Sequence, residues 1–286
     1  MKKVDYRKIP DLSDPKRIFD LTGRVGIIAG GGGKMGQNFA VVLARAGADV
    51  TLADSDEARC RKAAQEASVV SGRSVESFVC DAGDSSQVRD LFLRVEEKFE
   101  RLDFFIHNVM GKPPGYYEPF DSYGVSTWEQ VLSANLTGAF LCCREAARLM
   151  AETGGGSMVL TASIYGLVGP DQRIYEGSDA QANPYDTTAP LNLPGAYVAS
   201  KGGLIAFARY LATLLAPQGI RVNTLVPGGV FDQQAPSFHE AYVERTPMGR
   251  MAVWSDFNGA ILFLVSDASR YMTGSELVID GGWRAW

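Results

Sequence analysis

Short apolar runs alternate along the chain with segments in which apolar residues recur every three or four positions. The first such segment places Met35, Phe39, Val42, Leu43 and Ala46 at helical spacing. Strands that alternate with helices form a parallel sheet covered on both faces, and continuous apolar strands fit burial on both sides. The pattern predicts a single α/β domain of the doubly wound Rossmann type, with a seven-stranded parallel sheet flanked by helices on both faces. The predicted strands are Val25–Ala29, Val50–Ala53, Val75–Val79, Phe104–His107, Ser157–Thr161, Arg221–Val226 and Leu277–Ile279.

Two regions rich in proline and glycine interrupt this alternation, at residues 111–126 and at about 169–195. Loops of this length in a compact domain are usually functional or disordered. No charge run or Ser/Gly-rich linker divides the chain elsewhere. We therefore interpret residues 1–20 as an N-terminal extension and residues 21–286 as one domain that contains an insertion at about 169–195.

Composition excludes several classes of function. The 286 residues are 46% hydrophobic and 21% charged, with a formal net charge of −5, so a nucleic-acid partner is not expected. No uninterrupted apolar run reaches the length of a membrane span, and the N-terminus lacks the apolar core of a secretory signal. The cysteines form no CxxC pair and only two histidines occur, so no metal site is predicted. Free thiols without a signal indicate the cytoplasm.

A glycine-rich stretch, GGGGKMG at residues 30–36, follows the first predicted strand and opens the first helix. It contains the G-x-G-x-x-G spacing, which permits a tight turn, close approach of the backbone to a pyrophosphate and close packing of helix on strand. Asp54 ends the second strand, where a ribose diol would lie in a dinucleotide site. Two alternatives stay open. The glycines are also compatible with a flexible turn, and Asp54 with an N-cap for a helix at Ser55–Ser71.

A second motif, Tyr197-Val198-Ala199-Ser200-Lys201, places a phenol and an amine one helical turn apart. An adjacent ammonium favours the phenolate and lowers the pKa of a tyrosine. Such a tyrosine can exchange a proton with a substrate hydroxyl near neutral pH. Taken alone, the motif is more often a surface Tyr–Lys pair than a catalytic one.

These motifs stand in the order and spacing of a known family. From about Leu21 to Gly282 the chain resembles the short-chain dehydrogenase/reductase family. The resemblance depends on the glycine loop, Asp81 in CDAG, Asn135 in NLTG, Ser163 in TASIYG, YVASK at 197–201, PGG at 227–229 and the terminal IDGG.

The resemblance implies a role for each matching residue. Tyr197 would be the acid/base, Ser163 would hydrogen-bond the reacting oxygen, Lys201 would bind the nicotinamide ribose and tune Tyr197, and Asn135 would hold a water in the proton relay. The implied cofactor-binding residues are Gly30, Gly33, Lys34, Met35, Gly36, Asp54, Asp81, Ala82, Asn108, Tyr197, Lys201, Pro227, Gly228 and Val230.

Three of these residues also have purely structural interpretations. Ser163 is compatible with a cap or turn residue, Asn135 with a local kink in a helix, and Asp81 with a cap for a helix that starts near Ser85. The chain also departs from the family pattern at several positions. Ala29 and Lys34 replace a threonine and a glycine of the first motif, Met110 replaces a glycine after the fourth strand, and Asp232 replaces the threonine expected after Pro-Gly.

Asp54 favours NAD, because its carboxylate would accept from the ribose hydroxyls and repel a 2′-phosphate. NADP is less favoured, since Ser55 follows Asp54 and no arginine does; Lys34 is the one residue that would favour a phosphate. The insertion is longer than usual between the catalytic serine and tyrosine, and it is polar. We expect it to act as a substrate lid, with an oligomer contact or a disordered insertion as the alternative. The predicted substrate residues are Ser163, Tyr165, Arg173, Tyr175, Glu176 and Gln233, with Arg173 or Arg245 as anion partner.

Fainter similarity connects the chain to sugar and sugar-acid oxidoreductases of the bacterial nonulosonic acid and gluconate 5-dehydrogenase-like type. The sequence therefore predicts an NAD-dependent oxidoreductase of a sugar-like secondary alcohol or ketone. The alternatives are an NADPH-dependent 3-oxoacyl-thioester reductase and a non-catalytic dinucleotide-binding regulator. The small-molecule substrate is the expected partner, with neither nucleic acid nor membrane. The tail resembles family tails that pack between subunits, so a homotetramer or dimer is expected, with Trp283 and Trp286 buried at a partner.

Overall fold

Seven parallel strands form the centre of the computed structural model, which describes residues 13–177 and 191–286. Each predicted run is a strand whose ends lie within one residue of the predicted ends. The order across the sheet is β3-β2-β1-β4-β5-β6-β7, so the chain reverses its direction of winding between β1 and β4. The strands are β1 (Val25–Ala29), β2 (Asp49–Asp54), β3 (Val75–Val79), β4 (Phe104–His107), β5 (Gly156–Thr161), β6 (Ile220–Pro227) and β7 (Glu276–Ile279).

Helices connect these strands and cover both faces of the sheet. A five-residue π-helical turn, Ser133–Thr137, joins two of them, and short 3-10 turns precede the seventh and ninth. The helices are α1 (Pro15–Ile18), α2 (Lys34–Arg45), α3 (Glu57–Ser71), α4 (Ser85–Phe99), α5 (Val125–Leu132), α6 (Gly138–Glu152), α7 (Gly195–Leu215), α8 (Pro236–Glu244) and α9 (Asn258–Val265).

The core consists of two apolar layers, one on each face of the sheet. Helices α4, α6 and α7 bury the first layer, and α2, α3 and α9 bury the second. In α2, Phe39 and Leu43 are fully buried, whereas Met35, Val42 and Ala46 pack at the margin of the same layer. The predicted helical period therefore identified the face of α2 that meets the sheet.

Helix α7 with the turn after it, Gly195–Gln218, is long and apolar enough to cross a membrane by length and composition alone. It includes Lys201 and Arg209, so it is not an uninterrupted apolar run. In the fold it packs against β6 and buries nine residues, among them the Lys201 side chain. A core helix passes the same test of length and hydropathy, and the contacts of α7 explain its composition without a membrane.

Part of the predicted insertion and of the N-terminal extension lies outside the described residues, namely 178–190 and 1–12. The described start of the insertion forms a 3-10 turn at Gln172–Tyr175, whose Ile174 is buried. Leu193 lies on the far side of the insertion. The side-chain nitrogen of Gln172 donates to the Leu193 carbonyl at 2.9 Å, and its side-chain oxygen accepts from the Leu193 amide at 3.0 Å. These contacts hold both ends of the insertion together beside the start of α7.

Candidate active site

A cavity of about 450 Å³ opens at the carboxyl ends of the strands, where the winding reverses between β1 and β4. Ligands of open parallel sheets bind at such a switch point. The predicted cofactor residues other than Gly36 all line this cavity. Gly36 lies beneath it, and a Cβ there would come within 2.6 Å of the Gly30 carbonyl oxygen. This glycine therefore permits the first turn of α2 to pack closely on the glycine loop.

The glycine loop leaves backbone donors at the start of α2. The amides of Gly30 and Gly31 both donate to the Ala53 carbonyl, which folds the loop over β2. Gly33 is the N-cap of α2 and provides no side-chain acceptor for the first turn. Unsatisfied amides and the helix dipole make such a terminus favourable for an anion. This part of the cavity fits the pyrophosphate of a dinucleotide.

Asp54 is buried at the end of β2 and does not cap α3, because Asp56 does. One carboxylate oxygen of Asp54 accepts from the Gly32 amide at 3.0 Å. The other accepts from the Asp56 amide and from the Arg59 guanidinium, at 3.1 and 2.9 Å. The sequence prediction of NAD considered only Ser55, the residue directly after Asp54. In the structure, the first turn of α3 places the Arg59 guanidinium against the Asp54 carboxylate.

Asp81 also lines the cavity and does not cap the following helix, because Asp84 caps α4. One Asp81 carboxylate oxygen accepts from the Gly83 amide at 2.9 Å. Asn108, after β4, donates its side-chain amide to the Gly30 carbonyl at 3.3 Å. It thereby ties the end of β4 to the glycine loop.

Tyr197 and Lys201 face the cavity from the first two turns of α7. The Lys201 ammonium donates to the Thr161 carbonyl at 2.8 Å and lies 5.7 Å from the centre of the Tyr197 ring. Burial lowers the pKa of Lys201 to about 8. Burial also raises the pKa of Tyr197, against the opposing effects of a hydrogen bond with Ser163 and the charge of Lys112.

Lys112 borders neither this cavity nor the second one described below, but its charge acts on Tyr197, and the sequence analysis missed it. Its ammonium donates to the Tyr117 hydroxyl at 3.1 Å and lies 5.8 and 5.6 Å from the ring centres of Tyr116 and Tyr117. These contacts hold the charge beside Tyr197. The Lys201 ammonium donates to the Thr161 carbonyl, and Lys112 is a cation whose charge lowers the pKa of Tyr197. The expected tuning of Tyr197 by Lys201 stays a prediction.

Ser163 is both a turn residue and a partner of Tyr197. Its hydroxyl accepts from the Tyr165 amide at 3.2 Å, which caps a 3-10 turn at Ile164–Gly166. The same hydroxyl hydrogen-bonds with Tyr197. The turn contact is therefore compatible with a contact to Tyr197, and the catalytic role of Ser163 stays a prediction.

Asn135 lies in the π-helical turn, fully buried and outside the residues that line the cavity. Its side-chain oxygen accepts from the Gly111 amide at 2.8 Å, and its side-chain nitrogen donates to the Ser200 hydroxyl at 3.1 Å. The local irregularity expected as an alternative is present. The side chain joins the loop after β4 to α7, and the expected role in holding a water stays a prediction.

The Nε2 atom of His107 hydrogen-bonds with the main-chain carbonyl oxygen of Asn135 at 3.0 Å. Burial and the charge of Lys201 lower the pKa of His107 to about 3, so the ring is neutral. Since a carbonyl only accepts, Nε2 carries the proton. His107 thus holds the turn that carries Asn135.

The predicted substrate residues divide into two groups. Ser163 and Tyr165 line the cavity described above. Arg173, Tyr175 and Glu176 line a second, more apolar cavity of about 1240 Å³ between α5 and the insertion, and Leu193 borders both.

Gln233 borders neither cavity, and the predicted anion partners are engaged elsewhere. Gln233 is exposed in the loop after β6. Arg173 and Arg245 both form ion pairs with Asp171. Paired charges on a polar loop cannot be distinguished from substrate-binding charges by sequence position alone. Lys112, in contrast, is a basic residue whose charge acts on Tyr197.

The C-terminal tail differs from its predicted arrangement in one respect. Trp283 is buried within its own chain, stacked on Tyr242 with ring centres 4.2 Å apart. Its burial therefore needs no partner subunit. Trp286 is 80% exposed, and its indole donates to the Arg245 carbonyl at 3.2 Å.

Comparison with known proteins agrees with this arrangement. Residues 24–180 match the family model described as short chain dehydrogenase, and residues 187–284 match that of enoyl-(acyl carrier protein) reductase. The D-arabinitol 2-dehydrogenase [ribulose-forming] of Scheffersomyces stipitis is 31% identical over 94% of this chain and 96% of its own.

Two solved structures have the same fold. A gluconate 5-dehydrogenase from Burkholderia cenocepacia in complex with NADP and tartrate is 25% identical, covers 96% of this chain and 100% of its own, and has a TM-score of 0.81. An NAD⁺-bound xylitol dehydrogenase is 27% identical, covers 92% of this chain and 99% of its own, and has a TM-score of 0.77. The glycine loop, the Tyr197 and Lys201 pair and the match of both halves of the sequence show that this chain belongs to the short-chain dehydrogenase/reductase family.

Proposed function

We propose that this chain catalyses NAD(H)-dependent interconversion of a secondary alcohol and a ketone in a polyol or sugar acid, with Tyr197 as acid/base. The observation that carries the proposal is the convergence of Tyr197, Ser163 and Lys201 on a cavity that begins at the glycine loop. When bound, the nicotinamide dinucleotide would supply or accept the hydride. The similarity to arabinitol, gluconate and xylitol dehydrogenases supports the substrate class.

The side chains around Tyr197 suit proton exchange with a hydroxyl. In the oxidative direction, Tyr197 takes the proton of the substrate hydroxyl, and in the reductive direction it returns that proton to the ketone oxygen. Ser163 bonds the same oxygen, and Lys201 and Lys112 place positive charge near the phenolate. Asn135 and His107 hold the neighbouring turn and the start of α7 in place.

NAD is proposed over NADP because Asp54 presents a buried carboxylate at the ribose end of the cavity. A 2′-phosphate would meet this charge, whereas ribose hydroxyls can donate to it. Arg59 also borders this part of the cavity, but its guanidinium is bonded to Asp54. The pairing offsets the positive charge that would otherwise favour a phosphate.

A substrate panel tests this function. Polyols, aldonic acids and their keto forms are incubated with NAD(H) or NADP(H) and followed at the nicotinamide absorbance, beside acetoacetyl thioesters. We expect turnover of a polyol or sugar acid, with the higher kcat/KM on NAD(H). Preferential reduction of the thioester with NADPH would favour the 3-oxoacyl reductase instead. NADH binding without turnover of any substrate would favour a regulator.

Lys112 borders neither cavity, but Tyr116 and Tyr117 hold its ammonium and its charge acts on Tyr197. We propose that it attracts and binds the carboxylate of an acidic substrate that reaches Tyr197. We expect Lys112→Met to raise KM for a sugar acid by about tenfold or more, the effect of losing a hydrogen bond to a charged group. The KM of a neutral polyol should change much less. Lys112→Arg, which keeps the charge, is the matched control, and an equal rise in KM for both substrates would contradict this role.

A homo-oligomer in the cytoplasm is also proposed. Helices α6 and α7 expose Phe140, Tyr210 and Leu214 side by side with the partly buried Phe207. Contiguous apolar side chains of this kind mark interaction surfaces. The four cysteines are free and buried, as expected of a reducing compartment. Sedimentation equilibrium of the purified chain would give its oligomeric state.

A further inference from the structure

Lys34 and Asp232 form an ion pair across the mouth of the cofactor cavity. Lys34 is the first residue of α2 and lines the cavity directly after the glycine loop. Asp232 stands 198 residues later, in the loop after β6, two residues beyond Val230 on the opposite wall. The pair therefore connects the two walls between which the pyrophosphate would lie.

The loop that carries Asp232 is held in shape by its own side chains. Gln234 accepts from the Asp232 amide and donates to the Val230 carbonyl, both at 2.7 Å. Gln233 between them has a φ of 59°, in the left-handed backbone region that residues other than glycine and asparagine rarely adopt. Val230 is also bridged to Ala252. These contacts fix the position from which Asp232 reaches Lys34.

Both residues stand at positions where the chain departs from the family pattern. Lys34 replaces the middle glycine of the first motif, and Asp232 replaces the threonine after Pro-Gly. Each replacement alone would add an uncompensated charge to the cavity mouth. Together they are complementary, and the folded chain brings them into contact.

We propose that Lys34 and Asp232 act as a clasp that slows the release of the bound dinucleotide. The clasp spans the opening above the amides of the glycine loop, so the pyrophosphate leaves only when the pair separates. The inference depends on dinucleotide binding, which the family provides, and on neither the substrate nor the choice between NAD and NADP. Because Lys34 and Asp232 are 60% and 41% exposed, the pair should contribute modestly.

Stopped-flow displacement of NADH, followed by its fluorescence, tests the clasp. Lys34→Met and Asp232→Asn should each accelerate NADH release by about two- to fivefold, the range of an exposed pair. The double variant should release NADH no faster than the faster single variant, because either substitution already opens the clasp. Lys98→Met and Glu76→Gln are matched controls, since they remove an ion pair of similar exposure outside the cavity and should leave release unchanged.

Two results would overturn the clasp. If Lys34 bound the phosphates independently of Asp232, Lys34→Met would accelerate release equally in the presence and absence of Asp232→Asn. If Asp232 only repelled the phosphates, Asp232→Asn would slow release. Thermal unfolding of each variant accompanies the kinetics, and unchanged unfolding temperatures assign the effects to the cavity mouth.

Discussion

Replacing Tyr197 with phenylalanine is expected to lower kcat by about two to four orders of magnitude, the usual contribution of a positioned acid/base. The substitution removes the hydroxyl that bonds with Ser163 and retains the ring beneath the Lys201 ammonium. NADH affinity and the thermal unfolding temperature should change little. Steady-state kinetics on the best substrate of the panel, together with NADH titration by fluorescence, measures both effects.

Tyr271→Phe is the matched control for this prediction. Tyr271 is fully exposed, lies between α9 and β7 and lines no part of the cofactor cavity, so loss of its hydroxyl should leave kcat unchanged. Unchanged turnover in Tyr197→Phe would contradict the catalytic assignment. A loss of NADH binding equal to the loss of kcat would instead indicate that Tyr197 serves binding alone.

The fold was predictable because strands buried on both sides have a simple sequence pattern. The runs at β1 and β4 are almost wholly apolar, β5 has an apolar centre, and the three ends are followed by glycine, asparagine and alanine. The start of α3 was less predictable. Asp54 and Asp56 are both suitable caps by residue type, and only the path of the chain shows that Asp56 takes this role and leaves Asp54 for the cavity.

Motif order predicted side chains that the fold brings together at one cavity, but it did not indicate the charged groups around them. Lys112 stands in a proline- and glycine-rich loop without periodicity, so nothing in the sequence indicates that its charge reaches Tyr197. Arg173 and Arg245 were plausible anion partners by position, but Asp171 binds both. Such pairings across distant loops are decided by tertiary contacts, which a single sequence does not provide.

Replacing Gly30 with alanine is expected to destabilise the folded chain by roughly 3 kcal/mol and to abolish high-affinity NADH binding. Gly30 has a φ of 75°, which costs other residues about 1–2 kcal/mol. A Cβ there would also lie 2.6 Å from the Asn108 carbonyl oxygen and 2.9 Å from the Val109 Cα. Because these are backbone atoms of the segment after β4, relieving the overlap costs about a further 1–3 kcal/mol. Chemical denaturation and NADH titration provide the two measurements.

Gly33→Ala separates this steric requirement from a general effect of altering the loop. Gly33 has a φ of −73°, and the nearest atom to a Cβ there is the Gly30 carbonyl oxygen at 3.7 Å, an ordinary contact. The free energy of unfolding of Gly33→Ala should fall by less than about 1 kcal/mol, the cost of alanine at an N-cap. Since the fold tolerates this methyl group, any loss of NADH affinity in Gly33→Ala would measure how closely the cofactor approaches the start of α2. An equal loss of stability in both variants would show that the close approach of Gly30 to Asn108 does not determine the conformation of the loop.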